Sequence, residues 1–237
     1  MPFAAHPFHA RRPEARAAAW RWLRWGLLAA AGLSLAAQAW DPERIVQAAA
    51  RHGDQAVQGA RALRQAMAVV QSQEEGNQVG AVNDFFNRRL AYRDDTDIWG
   101  QVDYWASPLE SLQKGMADCE DFAIAKYFTL TSLGVPHRKL RLVYVRVALG
   151  GAGGAVQPHM VLAYYPQPEA EPLVLDNLVT ELRPAGRRPD LAPVFSFNAE
   201  GLWEGVGAVM LAGAGPAERL SRWRDALAKA RQDGFFR

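Results

Sequence analysis

The sequence predicts an α+β fold in which N-terminal helices precede an antiparallel sheet. Apolar residues recur at helical spacing as far as Gly134, and beyond Pro136 the pattern changes to the period of two that is typical of strands. Helices followed by a run of strands characterise the α+β class. Of the 237 residues, 49% are apolar and 22% are charged, which excludes a wholly disordered chain and suffices for one or two domains with a substantial core.

The first 39 residues have the features of a secretory signal peptide. They carry five arginines and one acid, followed by the apolar run Trp25–Ala37, which is too short to span a bilayer comfortably. The run ends in Ala37-Gln38-Ala39, the small-x-small pattern that a signal peptidase cleaves. A retained anchor and an internal amphipathic helix are the alternatives. We expect cleavage after Ala39 and a single periplasmic domain over residues 40–237.

Charge and cysteine content narrow the function classes. The leader arginines account for the net charge of +2, so the remainder is slightly acidic and nothing in it suggests nucleic-acid binding. The single cysteine, Cys119, excludes intramolecular disulfides and multi-cysteine zinc sites.

Four helices are predicted in the first half of the chain. Asp41-Pro42 provides an N-cap and a first-turn proline for the first helix. A polar loop over 92–97 and a tryptophan-rich stretch over 98–108 separate the third helix from the fourth. The fourth helix should begin near Asp118 and end at Gly134, where glycine suits a C-terminal cap. The second and third helices are expected over about 54–70 and along the stripe Val79, Val82, Phe86 and Leu90, with a break at 74–77.

Three strands and a last helix are predicted in the second half. A glycine-rich turn over 150–154 joins the first two strands, and because it opens no helix it indicates a hairpin loop rather than a phosphate-binding loop. The stretch 183–201 is rich in Pro, Arg and Gly and is expected to be a loop, after which Pro216 should open the last helix. The strands are expected over 140–149, 159–165 and 173–178, and the helix carries Leu220, Trp223 and Leu227 on one face.

Cys119 is the central candidate for chemistry. It lies at the predicted start of the fourth helix, where unpaired backbone N–H groups and the helix dipole favour a thiolate. The flanking acids have the opposite effect, because nearby carboxylates raise the pKa of a thiol unless a cation neutralises them. A small buried core residue is the alternative interpretation of a lone cysteine.

A cysteine nucleophile needs a base, and His159 is the best placed of the three histidines after the leader. It opens the second predicted strand, and Asp176 interrupts an apolar run in the next one, where an unpartnered carboxylate is costly. If these strands pair as a hairpin, Asp176 can hold the ring of His159 and complete a Cys-His-Asp relay. The alternative for Asp176 is a turn with Asn177 at the strand end.

Acidic residues beside the cysteine are candidates for metal binding. Asp118, Glu120 and Asp121 place three hard oxygen ligands within four residues, which suits calcium. Helix capping and compensation of the helix dipole explain these acids equally well. Asp94, Asp95 and Asp97 form a second acidic cluster. Because this cluster lacks the glycine and the distal glutamate of an EF-hand loop, we expect it to lie in a solvated loop.

One segment is specific enough to indicate a family. Residues 118–127 are Asp-Cys-Glu-Asp-Phe-Ala-Ile-Ala-Lys-Tyr. This run resembles the active-site helix of the bacterial transglutaminase-like cysteine proteinases, and more narrowly that of the LapG-type periplasmic proteinases. The resemblance covers roughly residues 78–205, although Ala117 stands where the family has glycine. It continues through the motifs at 82–88 and 99–110, through His159-Met160-Val161-Leu162 and through Leu175-Asp176-Asn177.

The resemblance implies a fold and a set of roles. The fold would be a transglutaminase-like core of the papain-like superfamily, with the catalytic cysteine at a helix N-terminus. Cys119 would be the nucleophile, His159 the general base and Asp176 the orienting acid. The Ca²⁺ ligands would be Asp118 and Glu120, joined by Asp121.

The resemblance also implies a biological role. The chain would be a calcium-dependent periplasmic endopeptidase that cleaves a large surface adhesin near its N-terminus, at a di-alanine site, and so disperses a biofilm. An inner-membrane receptor of the LapD type, controlled by cyclic di-GMP, would sequester it. No nucleic-acid partner and no stable membrane insertion after signal cleavage are expected. An amide acyltransferase on the same fold and a non-catalytic calcium-binding interaction module are the alternatives.

Overall fold

The computed structural model describes residues 40–150, 154–207 and 221–235. The predicted leader, the middle of the glycine-rich turn, and Pro216 and Leu220 of the last predicted helix lie outside these residues. In the described part of the chain, no helix is both long and apolar enough to cross a membrane.

Helices dominate the chain before Gly134, and the main sheet follows. The helices are α1 (Pro42–Ala49), α2 (Asp54–Val70), α3 (Glu75–Arg89), α4 (Asp95–Trp99), α5 (Pro108–Lys114), α6 (Cys119–Ser132) and α7 (Ser221–Gln232). The strands are β1 (Ala91–Tyr92), β2 (Met116–Ala117), β3 (Leu140–Ala148), β4 (Val156–Tyr164), β5 (Leu173–Leu175), β6 (Arg183–Pro184), β7 (Leu191–Phe197) and β8 (Leu202–Glu204).

The first helices follow the sequence prediction closely. Asp41 caps α1, because its side chain accepts a hydrogen bond from the Arg44 N–H at 3.1 Å, and α2 spans the predicted residues 54–70. The break before α3 lies at 71–74, slightly earlier than expected. There the Gln78 side chain donates to the backbone carbonyls of Gln71 and Gln73, which supports the turn.

Two short helices form where irregular structure was expected. The predicted polar loop over 92–97 contains β1 and the start of α4, and α4 ends at Gly100 with a positive φ of 65° that suits glycine. Helix α5 begins with a capping box, in which Ser107 and Glu110 each accept a hydrogen bond from the other's N–H group. The prediction of a continuous loop over 92–97 is therefore wrong.

Helix α6 is the central element of the fold. Buried side chains lie all round it, and it packs against α3 and α5 on one side and against β3 and β4 on the other. Its apolar side chains join a core cluster that also contains Leu142, Leu162 and Phe197 of the sheet. The core therefore fixes the position of the residue that begins the helix, Cys119.

The main sheet is antiparallel throughout, in the order β6-β5-β4-β3-β7-β8. Strands β3 and β4 form the predicted hairpin, with Leu140 opposite Tyr164 and Ala148 opposite Val156. Strand β4 begins three residues earlier than expected, and β5 ends at Leu175, directly before Asp176. Helix α7 follows the last strand along the chain, and Trp223 and Leu227 of its predicted apolar face are buried.

The prediction of a loop over 183–201 is wrong. That range contains β6 and β7, and β7 returns to pair with β3 on the side opposite β4, so the sheet is more than a meander. The register shifts where Tyr144 pairs with Phe195 and Val145 with Pro193, which leaves Val194 as an extra residue. A bulge of this kind accommodates the proline that disguises the strand in the sequence.

Candidate active site

Cys119 is the first residue of α6 and is half-buried. Asp118 is the N-cap of the helix, and its carboxylate accepts a hydrogen bond from the Asp121 N–H at 3.3 Å. The Cys119 thiol donates to the Glu120 carboxylate at 3.0 Å. Burial, followed by the charge of Glu120, raises the pKa of Cys119, whereas a hydrogen bond from the Met160 backbone N–H lowers it.

His159 and Asp176 form a buried pair. The His159 Nε2 and Asp176 Oδ1 atoms lie 2.8 Å apart. Strands β4 and β5 pair with Leu162 opposite Leu175, and continuing this register places Asp176 diagonally across from His159. The two strands therefore bring the pair together as the sequence analysis predicts.

Asp176 is held as an anion. Burial alone would raise its pKa, but the hydrogen bond and charge of His159 outweigh burial, with help from the Leu178 N–H and the Arg188 guanidinium, and lower the pKa of Asp176 to about 2. An ionised carboxylate only accepts hydrogen bonds, so the proton between the pair belongs to Nε2 of His159.

One cavity joins the cysteine to the histidine. Its volume is about 630 Å³, and Cys119, His159 and Met160 are among its lining residues. Aromatic side chains of Tyr92, Trp105, Tyr144 and Phe195 line the remainder of the cavity together with acidic groups.

Three carboxylates meet on the helix side of this cavity. Oxygen atoms of Asp95, Asp118 and Glu120 lie within 4.8 Å of one another. Asp95 is 3% exposed, so the prediction that it belongs to a solvated loop is wrong, whereas Asp94 and Asp97 are exposed as expected. Asp95 Oδ2 accepts a hydrogen bond from the Tyr104 N–H, and its Oδ1 has no partner among the described residues.

A parallel strand pair brings Asp95 to the cysteine. Strand β1 pairs with β2 in register, Ala91 with Met116 and Tyr92 with Ala117, and the Arg93 N–H donates to the Ala117 carbonyl at 3.0 Å. The chain segments that lead into Asp95 and Asp118 therefore run side by side.

Asp121 faces away from the cavity but lies near the same group. Its Oδ1 accepts a hydrogen bond from the Ala106 N–H at 2.7 Å, and its buried Oδ2 has no partner within the described part of the chain. Burial raises the pKa of Asp121 well above its ordinary value, and the charges of Asp95 and Glu120 add to this effect. Among the predicted ligands, Asp118 and Glu120 thus lie in the group of three, while Asp121 stands beside it.

The acidic group fits a hard divalent cation. Carboxylate oxygens are preferred calcium ligands, and buried oxygens without partners are costly unless something binds them. Burial and the neighbouring acids raise the pKa of Asp118 to about 10. A bound cation of this class would satisfy the free oxygens and offset the clustered negative charge.

A sequence model described as bacterial transglutaminase-like cysteine proteinase BTLCP matches residues 50–188, more than half of the chain. The chain belongs to this proteinase family. A solved structure of Legionella pneumophila LapG matches this chain with a TM-score of 0.67, and an EGTA-treated form matches it with a TM-score of 0.68. Each is 37% identical to this chain, and each match covers 80% of this chain and 97% of the LapG chain. A calcium-bound form matches at 36% identity over 80% and 98%, with a TM-score of 0.64. No curated protein matches the chain.

These matches confirm the predicted fold of the proteinase, a transglutaminase-like α+β core. They are consistent with a resemblance to the family that extends well beyond the segment around Cys119. The donors expected to bind an oxyanion are the Cys119 backbone N–H and a group from the Trp99–Trp105 stretch, and this assignment stays a prediction. Within the Trp99–Trp105 stretch, Trp105 lines the cavity with Cys119, while the Trp99 indole N–H is buried without a partner among the described residues.

Two residues of this site were not predicted to belong to it: Asp95, which was assigned to a solvated loop, and Arg188. Asp95 lies 24 residues before Cys119 and approaches it only through the β1–β2 pair. Arg188, whose Nη2 donates to Asp176 Oδ2 at 2.8 Å, lies in the stretch predicted to be a loop. A usable signal existed for neither, because their positions depend on long-range pairing.

Proposed function

We propose that this proteinase hydrolyses a peptide bond with Cys119 as nucleophile, His159 as general base and Asp176 as orienting acid. The observation that carries the proposal is the 2.8 Å contact between His159 Nε2 and Asp176 Oδ1 beside the cavity that Cys119 lines. With the proton on Nε2, the neutral ring keeps a lone pair on Nδ1, which can accept the thiol proton.

The reaction follows from these roles. Nδ1 of His159 takes the proton of Cys119 as Sγ attacks the peptide carbonyl carbon, and a tetrahedral oxyanion forms. The C–N bond then breaks, and the imidazolium gives its proton to the departing amine. The acyl group is then bound to Sγ as a thioester. Nδ1 next takes a proton from a water molecule as the water oxygen attacks the thioester carbonyl carbon. When the C–S bond breaks, the thiol regains that proton and the carboxylic acid product leaves.

The proposed proteinase depends on calcium. Asp95, Asp118 and Glu120 would hold the ion, with Asp121 adjacent, and the calcium-bound LapG structure supports this choice of cation. Bound calcium would supply positive charge that offsets the carboxylates around the start of α6. The half-buried position of Cys119 in an open cavity favours this role over a structural cysteine in a non-catalytic module.

We further propose the periplasm as the compartment, after removal of residues 1–39 as a signal peptide. The proposed substrate is a large surface adhesin cut near its N-terminus at a di-alanine site, so that its release disperses a biofilm. The proposed regulator is an inner-membrane LapD-type receptor that responds to cyclic di-GMP. Support for these points comes from the leader pattern and from the resemblance around Cys119.

A cleavage assay tests the proposal. Residues 40–237 and the Cys119→Ala variant are incubated with the N-terminal region of a large adhesin from the same genome, first with calcium and then with chelator. We expect one discrete product that requires both Cys119 and calcium. Full activity after chelation, with metal content confirmed near zero, would contradict calcium dependence.

Product masses separate hydrolysis from transfer. Hydrolysis adds water to the new C-terminus, whereas an acyltransferase adds a supplied amine. An amine adduct in preference to the acid would replace the endopeptidase proposal by the acyltransferase. Retention of the calcium-induced Tm shift in Cys119→Ala shows that the inactive variant is folded.

A further inference from the structure

Arg188 is a buried cation that contacts the proposed orienting acid. It is 3% exposed, and its Nη2 donates to Asp176 Oδ2 at 2.8 Å. Asp190 orients the guanidinium, because Nε donates to its Oδ1 at 3.0 Å and Nη2 to its Oδ2 at 2.7 Å. The other oxygen of Asp176 accepts from His159. Oδ2 of Asp176 is thus held by the arginine, whereas Oδ1 accepts from the imidazole and also from the Leu178 N–H at 3.0 Å.

This arrangement is poorly explained by stability. Desolvation of a buried ion pair offsets much of its attraction, and apolar residues of similar volume often stabilise a fold at least as well. The Nη1 atom of Arg188 is buried and has no hydrogen-bond partner among the described residues, which adds to the cost. A costly buried group beside a proposed catalytic pair points to a role in orientation.

The backbone of Asp176 is anchored as well. Its carbonyl accepts hydrogen bonds from Asn87 Nδ2 at 2.8 Å and from Lys126 Nζ at 3.1 Å. Lys126 belongs to α6, the helix that Cys119 begins, and is fully buried. With the backbone fixed, rotation of the carboxylate is the remaining freedom of Asp176, and two bonds restrain it, one from Arg188 to Oδ2 and one from the Leu178 N–H to Oδ1.

We propose that Arg188 is a positioning residue of the Cys-His-Asp relay. By occupying Oδ2 of Asp176 it directs Oδ1 to the Nε2–H of His159. It thereby selects the tautomer whose Nδ1 is free to take the thiol proton. The inference rests on the proposed function for the role of Nδ1, whereas the selection of the tautomer is independent of any substrate. When a triad carboxylate no longer fixes the histidine tautomer, kcat falls strongly. That fall is the upper limit of the decrease in kcat that we expect when Arg188 is replaced.

The first test measures the tautomer of His159 in the unmodified domain. Nitrogen-15 chemical shifts distinguish an imidazole protonated on Nε2 from one protonated on Nδ1, and His159→Gln assigns the signals. We expect the Nε2–H form to predominate at neutral pH. Predominance of the Nδ1–H form would overturn the proposal without reference to cleavage.

The second test changes the guanidinium. In Arg188→Gln we expect kcat for the adhesin fragment to fall about 10- to 100-fold, by analogy with the loss of hydrogen-bond partners that orient metal-ligating side chains. KM should change less than twofold, and both His159 tautomers should be present. Arg188→Lys, which keeps the charge, should recover part of kcat. The neighbouring Arg187 is exposed, so Arg187→Gln is a matched control that should leave kcat and tautomer unchanged.

The outcomes separate this inference from the proposed function. A folded Arg188→Gln variant with unchanged kcat, or with lower kcat and an unaltered tautomer, would overturn the positioning role. If Arg188→Gln does not fold, Arg188→Lys takes its place in the same two measurements, and an unchanged kcat with an unaltered tautomer in that variant would overturn the positioning role. If the unmodified domain does not cleave the adhesin at all, the endopeptidase proposal fails, whereas the tautomer of Arg188→Gln still tests the contact.

Discussion

Replacing Asp95 by asparagine should raise the stability of the domain without calcium and should reduce the stabilisation that calcium adds. Oxygens of Asp95, Asp118 and Glu120 lie within 4.8 Å of one another. At that separation two unit charges repel by about 3.5 kcal/mol when the effective dielectric constant is about 20. Burial and the neighbouring acids raise the pKa of Asp118 to about 10 and also raise the pKa of Asp95, so protonation relieves part of this repulsion in the calcium-free protein.

The asparagine removes this repulsion and still accepts the hydrogen bond from the Tyr104 N–H. Partial protonation of the acids reduces the full Coulomb value, so we expect the free energy of unfolding in chelator to rise by about 1–3 kcal/mol. For a domain of this size that corresponds to a Tm increase of about 2–12 °C.

Calcium should narrow this difference in stability between the variant and the unmodified domain. At a calcium concentration 100 times its Kd, the unmodified domain gains about 2.7 kcal/mol. Loss of one carboxylate ligand that weakens binding tenfold would leave the Asp95→Asn variant a gain of about 1.4 kcal/mol under the same conditions. The calcium-induced increase in Tm should therefore be about halved or smaller.

Thermal unfolding with calcium and with chelator measures both effects, and calorimetric titration gives the two Kd values. Asp97→Asn is the matched control, because Asp97 lies on the same short helix and is exposed. It should behave as the unmodified domain does. An Asp95→Asn variant that is less stable in chelator, or that keeps the full calcium-induced shift, would refute the electrostatic reasoning.

Three further predictions concern stability. Trp223 is fully buried and stacks on Phe128 at 5.4 Å, so Trp223→Ala should cost about 3–5 kcal/mol in urea unfolding, and a loss below about 1 kcal/mol would contradict its place in the core. The pKa of Asp176 is lowered to about 2. The ionised carboxylate therefore stabilises the folded domain fully at pH values above the ordinary aspartate pKa, and this stabilisation is lost as the pH falls through about 2. The stability advantage of the unmodified domain over Asp176→Asn should shrink by about 2 kcal/mol between pH 5 and pH 2, and parallel profiles would contradict this. Because His52 Nε2 lies 2.9 Å from buried Asp233, His52→Ala should cost about 1–3 kcal/mol in the same unfolding measurement, and an unchanged midpoint would be inconsistent with that contact.

The sequence was informative wherever the structure depends on local signals. Asp41-Pro42 marks the start of α1, and the acids before Cys119 mark the start of α6. The change of period after Pro136 predicts the hairpin of β3 and β4. Because Asp176 interrupts an apolar run, its contact with His159 could also be anticipated, and the 2.8 Å distance confirms that contact.

Other features depend on pairing between distant segments. Strands β1 and β2 have two residues each, too few to show any periodicity, and yet they place Asp95 beside Asp118. Strand β7 contains Pro193, which a bulge accommodates and which argues against a strand in sequence alone. Helix α5 was different, because its capping box of Ser107 and Glu110 was visible in the sequence and was overlooked.

The short β1–β2 ladder gives the domain a reporter that needs no substrate. The Ala91 N–H donates to the Gly115 carbonyl and the Arg93 N–H to the Ala117 carbonyl, each at 3.0 Å. Opening this two-residue ladder separates the segments that carry Asp95 and Asp118, so an ion held by both carboxylates opposes the opening. Deuterium exchange at the amides of Ala91 and Arg93 should therefore slow when calcium is added, while amides in the interior of α2 keep their rates.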